Sequence, residues 1–333
     1  MALGLCDPHL RLDIDTVSAV GKRYDCGIDR DDCAEVPGRT LLMPITILPT
    51  GIDMYYQVAG TGDPLLLIMG TGADHSTWEA QVEAYKGDFM VVTYDARGTG
   101  RSTHPEAVED YSMRILADDA AALLDYLGIA RAHVSGLSLG SATAQELAIN
   151  YPDKVATLQL HGTWGRSDEW FNRMIDTNAL PVSLGDFAAY IRTALLWLAS
   201  PQFINEQSEE VEAFERAFIL ENPYPPSKHG MMGHFHADQT HDTLDRLHQI
   251  CVPTLITSGE LDWQVPTRYG LEVQRRIPGS TIQVFTGSAS SHIAFIEMTE
   301  DWNTFTLAWL KRQATSTQWA VQPPSTTKTD PVM

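Results

Sequence analysis

The stretch HVSGLSLGSA, residues 133–142, limits the fold more than any other part of the chain. An apolar run ends there, a run of small helix formers begins, and Ser138 stands between Gly136 and Gly140 at the change. A solvent-exposed loop tolerates almost any residue, so glycine on both sides of one serine calls for a backbone or a chemical cause. The plain cause is a tight strand-to-helix turn, where a Cβ would clash at unusual dihedrals. The chemical cause is a nucleophile elbow, G-x-S-x-G, in which the serine is strained and its Oγ projects from the sheet edge. Both require a strand, a sharp turn and a helix.

The rest of the chain supplies the context for such a unit. LLMPITI and IDMYYQVAG, parted by a Pro-Thr-Gly turn, read as a hairpin. PLLLIMG, FMVVTYD and AHVSG are short apolar runs of the kind that form strands buried on both faces. Between them, YSMRILADDAAALLDYLGI repeats Met113, Leu116, Ala120, Leu123 and Leu127 at helical spacing. This alternation implies an α/β fold, a mostly parallel, doubly wound sheet with right-handed crossovers.

After VATLQLHG the alternation stops. Residues 164 to about 249 carry helical patterns with many large apolar side chains, including Trp170, Phe171, Tyr190, Trp197, Phe214, Phe218 and Phe235. Strands return in VPTLITSGE and TIQVFTG, and a last helix bears Met298, Trp302, Phe305 and Trp309 on one face. The expected division is a core over residues 41–165 and 249–312, an inserted helical cap over 166–248, and an N-terminal extension over 1–40. The Ser-, Thr- and Pro-rich stretch 313–333 reads as a disordered tail.

Charge narrows the partners. Twenty-three basic against 43 acidic residues among 333 give a net charge of −20, which repels phosphate backbones and anionic lipid. Neither nucleic acid nor a membrane is an expected partner; association with a second copy of the chain stays open. No apolar stretch reaches bilayer-spanning length, and MALGLCDPHLRLDID lacks the basic start of a secretory signal, so a cytoplasmic location is expected. Cys6, Cys26, Cys33 and Cys251 are too few and scattered for a disulfide framework. A Cys26–Cys33 bridge would need an oxidising compartment, and free thiols are the expectation.

A serine hydroxyl is a weak nucleophile and needs a base, with a third group to orient that base. SGELDWQVP sets Asp262 just after one apolar run, and FTGSASSHIAF sets His292 just after the next. Alone, an Asp in such a place is usually a cap or turn residue, and a lone His is usually structural. Jointly with Ser138, their order and positions read as a catalytic triad. HGTWGR offers no rival carboxylate before Asp168, and Glu260 is the neighbour to examine should Asp262 not be the acid.

With these parts in place the chain resembles the α/β-hydrolase family from about residue 41 to 312, through GLSLG, GELDWQVP, the His292 turn and YDARGTGRS at 94–102. Within the family it is similar to esterase and lactonase branches such as 3-oxoadipate enol-lactonases and aclacinomycin methylesterases. Those enzymes carry an "MG" or "HG" pair after the third strand, where this chain has Met69 and Gly70, then Thr71, Gly72 and Ala73. The resemblance implies an oxyanion hole from the backbone NH groups of Thr71 and Leu139. It also implies that Asp95 and Arg97 fix a loop rather than act in catalysis.

Gly70, Gly72, Trp78, Trp164, Met231, Met232 and Trp263 are candidate pocket residues, although large apolar residues in a cap also serve simply as its core. The cap segment HGMMGHFHADQTH holds His229, His234, His236 and His241 without companion Cys or a carboxylate set at ligand spacing. No metal and no cofactor are expected. The reading is a serine hydrolase cleaving a carboxylic ester or lactone of a hydrophobic, polyketide-like small molecule through an acyl-enzyme. An Asp nucleophile, as in the haloalkane dehalogenases and epoxide hydrolases of the fold, is absent from the elbow. Carbon-carbon bond hydrolases usually carry Trp after the catalytic His, where this chain has Ile293. That activity, acyl transfer, perhydrolysis and a non-catalytic ligand-binding role are the alternatives.

Overall fold

The apolar runs become strands. In the computed structural model, which describes residues 45–314, β1 (Ile45–Ile47) and β2 (Asp53–Ala59) form the antiparallel hairpin expected around the Pro-Thr-Gly turn, pairing Ile45 with Tyr55. The other strands are β3 (Asp63–Ile68), β4 (Phe89–Tyr94), β5 (Ala132–Leu137), β6 (Val155–His161), β7 (Thr254–Gly259) and β8 (Thr281–Phe285). Together they make an 8-stranded sheet in the order β1-β2-β4-β3-β5-β6-β7-β8. From β4 to β8 every neighbouring pair is parallel. Every residue of β5, β6 and β7 is buried, which is why these runs are apolar without alternation.

The chain runs from β3 outward to β4, then returns to place β5 on the other side of β3. That reversal leaves a crevice beyond the carboxyl ends of β3 and β5, the ligand-binding position of open α/β sheets.

Helices α1 (Glu79–Tyr85), α2 (Met113–Tyr126) and α3 (Leu139–Asn150) link the first strands. The α2 stripe read from the sequence faces inward, since Met113, Leu116, Ala120 and Leu123 are all buried, and Ser112 caps the helix by accepting from the Ile115 NH at 3.2 Å. Between β6 and β7 the chain forms α4 (Glu169–Ser183), α5 (Phe187–Leu198), α6 (Pro201–Glu206), α7 (Ser208–Arg216) and α8 (Lys228–Thr240). The two ends of this insertion are stitched together: Thr243 NH donates to Gly165 O at 2.8 Å, Ser167 NH to His241 O at 3.2 Å, and the Arg166 guanidinium to Asp242 at 2.8 Å. Helices α9 (Thr267–Arg276), α10 (Ala294–Glu297) and α11 (Thr299–Ala314) complete the fold, with Trp302 and Trp309 of α11 buried as expected.

The tail expected over 313–333 starts too early, because Gln313 and Ala314 complete the last turn of α11; the rest of it, the expected extension over 1–40, the start of the hairpin at 41–44 and the Cys26–Cys33 pair lie outside the described residues. Cys251 is a free, exposed thiol. Among the described residues no helix is long and apolar enough to cross a membrane.

Buried imidazoles give the fold a pH signature. Burial lowers His161 to about 3 and lowers His133, His234 and His241 to about 4. An unfolded histidine titrates near 6.5, so between roughly pH 6.5 and 4 the unfolded chain binds more protons. Stability from these groups is complete above that window and is lost as pH falls through it. Asp238 works in the opposite direction, because burial raises its carboxyl to about 8, but it is one group against the four histidines. We expect the melting temperature to fall steeply from pH 7 to pH 5, with a shallower slope in His161→Gln. A melting temperature flat over that range would contradict the burial of these rings as neutral species.

Candidate active site

Ser138 follows β5 directly and occupies the N-cap of α3 with φ 54° and ψ −123°. Among the described residues it is the sole non-glycine with positive φ, a conformation costing on the order of 1–3 kcal/mol that persists only where the surroundings enforce it. The enforcement is steric. A Cβ on Gly136 would lie 2.2 Å from Gly140 O, and one on Gly140 would lie 2.1 Å from Ile68 O, so strand and helix approach too closely for any side chain at either position. Ser138 NH is tied to His161 O at 2.9 Å, and Ser141 Oγ donates to Ser138 O at 2.6 Å.

Asp262 and His292 come together at the ends of β7 and β8. The His292 Nδ1 lies 2.9 Å from Asp262 Oδ2, and Asp262 Oδ1 accepts from the Val265 NH at 2.7 Å. Both side chains are buried. With Nδ1–H committed to the carboxylate, Nε2 is the nitrogen left to accept a proton. Gly162, just after β6, has φ 53°, and a Cβ there would sit 2.8 Å from His292 Cε1. The imidazole loop is fixed from the insertion side as well: Ile293 NH donates to Leu198 O at 3.2 Å, while Glu297 Oε1 accepts from Ser200 NH at 2.8 Å and Ser291 Oγ at 2.7 Å. Glu260 is exposed and Asp168 caps α4 through the Phe171 NH at 2.9 Å, so neither competes for His292.

Ser138 and His292 line one cavity of about 210 Å³, with Met69, Gly70, Thr71 and Gly72 on the same wall. Leu139 is the first residue of α3, where a helix NH has no partner within its own helix and the helix dipole favours negative charge. Gly70 lies close under the serine, since a Cβ there would be 3.2 Å from Ser138 Cβ. Ile175, Ile191, Leu198, Phe214 and Phe235 of the insertion and Phe295 of α10 make most of the remaining wall apolar.

Several expected pocket residues lie elsewhere. Trp78 is fully buried against Phe295 and Trp302, at ring separations of 5.3 and 6.2 Å. Trp164 stacks on Phe171 at 4.7 Å and donates to Ser167 Oγ at 2.9 Å. Met231 is fully buried beneath the loop after β3, its Sδ filling the space a Cβ on Gly72 would need. Met232 is half-buried outside the cavity wall, and Trp263 is 52% exposed; its neighbour Gln264 faces the cavity instead. Bulk alone placed these residues as candidates, and bulk equally fills a core.

On α8 the sequence pointed to His234 only as a metal-ligand candidate and did not point to Asp238; together they hold the loop after β3. His234 Nδ1 accepts from the Gly72 NH at 3.1 Å and its Nε2–H donates to Arg97 O at 2.8 Å, which fixes a neutral ring. One turn on, Asp238 Oδ2 accepts from Thr71 Oγ1 at 2.7 Å. The i, i+4 spacing of His234 and Asp238 was the available signal. The histidines His229, His234, His236 and His241 do not converge among the described residues; Asp74, His75 and Asp95 do, within 4.8 Å. There the polar atoms have partners already: Asp95 Oδ1 bonds His75 Nδ1 at 2.6 Å and Oδ2 accepts from Arg101 NH at 2.9 Å, while Arg97 forks onto Asp119 at 2.6 and 2.7 Å.

Residues 63–299 match the model of the alpha/beta hydrolase fold, and the chain belongs to that family. It is 30% identical over 230 residues, 69% of this chain and 85% of the relative, to RutD of Azorhizobium caulinodans, described as a proposed carbamate hydrolase. It is 27% identical to 3-oxoadipate enol-lactonase 2 of Acinetobacter baylyi, covering 80% of this chain and 96% of that protein. Among solved structures, the enol-lactonase of Burkholderia xenovorans matches with a TM-score of 0.71 at 25% identity, covering 80% of this chain and all of that one. A thermophilic esterase of Thermogutta terrifontis also gives 0.71, at 27% identity over 81% of this chain and 97% of its own.

The closeness of Gly162 to the imidazole gives a direct test. Gly162→Ala puts a methyl against His292 and a side chain at positive φ, so we expect a folded protein whose turnover of a simple aryl ester drops on the order of 10²-fold. Turnover at the parent level would mean that the His292 position is not under this constraint.

Proposed function

We propose that the protein is a serine hydrolase that cleaves a carboxylic ester or lactone through an acyl-enzyme. One constellation carries the reading: Ser138, strained at φ 54°, lines an apolar cavity together with His292, which is bonded to Asp262 at 2.9 Å. In this mechanism His292 Nε2 takes the hydroxyl proton as Ser138 Oγ attacks the carbonyl carbon. The NH groups of Leu139 and Thr71 donate to the oxyanion as its charge develops. The tetrahedral intermediate collapses, the C–O bond to the leaving alcohol breaks, and the imidazolium returns the proton to that alcohol. Water, deprotonated by the same imidazole, then attacks the acyl-serine and releases the acid. Asp262 holds the imidazole tautomer and stabilises the imidazolium that forms twice in each cycle.

The apolar wall supports a hydrophobic acyl group, and a cavity of about 210 Å³ favours one of small or medium size over a polyketide. Hydrolysis of a carbamate is the second reading, favoured by the RutD relative and requiring only that the carbonyl attacked bear nitrogen on one side.

Steady-state hydrolysis of 4-nitrophenyl butyrate tests the proposal. Ser138→Ala should abolish turnover above background. Asp262→Asn should keep the fold and cost on the order of 10⁴ in turnover, as the equivalent change does in a serine protease. Glu260→Gln, at an exposed position, should stay near the parent. Near-parent turnover in Asp262→Asn would remove Asp262 from the triad.

A further inference from the structure

Not all of the cavity wall is apolar. Asp238 and Asn178, on α8 and α4, both line it and are each about 2% exposed. Among the described residues, Asp238 Oδ1 and Asn178 Oδ1 are buried without a hydrogen-bond partner, and the Asn178 amide nitrogen finds only the Met174 sulfur at 3.5 Å. Gln264 Oε1, on the same wall, is also unpartnered. Buried polar atoms are nearly always bonded, so several orphans around one cavity mark groups whose partner arrives from outside. We propose that Asp238 and Asn178 form a polar subsite for an uncharged O–H or N–H group carried by the acyl part of the substrate.

The subsite is tied to the reacting centre. Asp238 Oδ2 holds Thr71 Oγ1 at 2.7 Å, and Thr71 belongs to the loop whose Gly70 lies directly beneath Ser138. The carboxyl therefore cannot drift relative to the serine, and its second oxygen is the one left for a ligand. Burial raises the Asp238 carboxyl to about 8, so it is held protonated at neutral pH. A neutral carboxyl and a carboxamide each offer one donor and one acceptor face, which complements a hydroxyl or a carboxamide rather than a cation or an anion. A site built to bond such a group discriminates against the analogue that lacks it, because its own polar atoms are then left bare.

This inference rests on the hydrolase reading, and one substrate series separates the two. The probes are 4-nitrophenyl hexanoate, its monohydroxy derivatives, and the 4-nitrophenyl ester of adipamic acid, which carries a terminal carboxamide; kcat/KM is measured for each. The parent should prefer at least one hydroxy ester or the carboxamide ester over hexanoate by on the order of tenfold or more. Preference for a hydroxy ester assigns the group as O–H, and preference for the carboxamide assigns it as N–H. Asp238→Ala and Asn178→Ala should each bring that ratio close to one, whereas Asp238→Asn, which keeps a donor and an acceptor, should retain most of it. Turnover of hexanoate with no preference, or a preference that survives Asp238→Ala, overturns the subsite alone. Turnover of none of the esters removes the hydrolase reading and the subsite together. A merely structural Asp238 would change all substrates in proportion and leave the ratio where it was.

Discussion

The turn at Ser138 sets the terms for everything around it. A residue held at φ 54° needs a strand and a helix that meet at near-contact, and here the meeting is closed by Gly136 against Gly140 and by Gly140 against Ile68. Ile68 ends β3, so the close contact that the turn needs lies at the carboxyl ends of β3 and β5, the paired strands that flank the crevice. The same geometry makes Ser138 the N-cap of α3, at a helix end whose first NH groups have no partner within the helix and where an anion is favoured. Strain, sheet register and electrostatics are three consequences of one packing arrangement.

The insertion between β6 and β7 does more than roof the cavity. Through Met231, His234 and Asp238, one face of α8 grips the loop after β3 at Thr71 and Gly72. Through Leu198, the last residue of α5, and Ser200 just after it, the insertion grips Ile293, next to His292, and Glu297 at the end of α10. The insertion lies in the same compact unit as the sheet, and its ends are pinned by the Arg166–Asp242 pair. Proposed oxyanion donors and proposed base are therefore both positioned partly from above, and changes in the helical insertion should reach the chemistry as well as substrate choice.

Much of this was legible in the chain. GLSLG implied a strand, a sharp turn and a helix because a serine flanked by glycines in this way suits backbones that nearly touch. The apolar runs gave the parallel strands because a sheet buried on both faces leaves no alternation to misread. Asp262 and His292 could be paired because strand ends point to one edge of a parallel sheet. The pocket was harder to read. Trp78 and Trp164 went to the core and Trp263 to the surface, because side-chain size specifies burial but not against what. Asp238 and Asn178 escaped notice since a polar residue inside a helical pattern looks solvated until the fold shows what lies over it. Gly162 stood in plain view, yet its purpose depends on an imidazole 130 residues further along the chain.

The central claim is that Ser138 is an activated nucleophile rather than a strained turn residue alone. A serine-reactive fluorophosphonate, followed by intact-protein mass and peptide mapping, tests it without knowledge of the natural substrate. The account predicts one adduct per chain on the peptide containing Ser138, absent from Ser138→Ala and formed much more slowly in His292→Ala. Labelling that persists undiminished in Ser138→Ala, or a parent protein that takes up no adduct while folded, would contradict it.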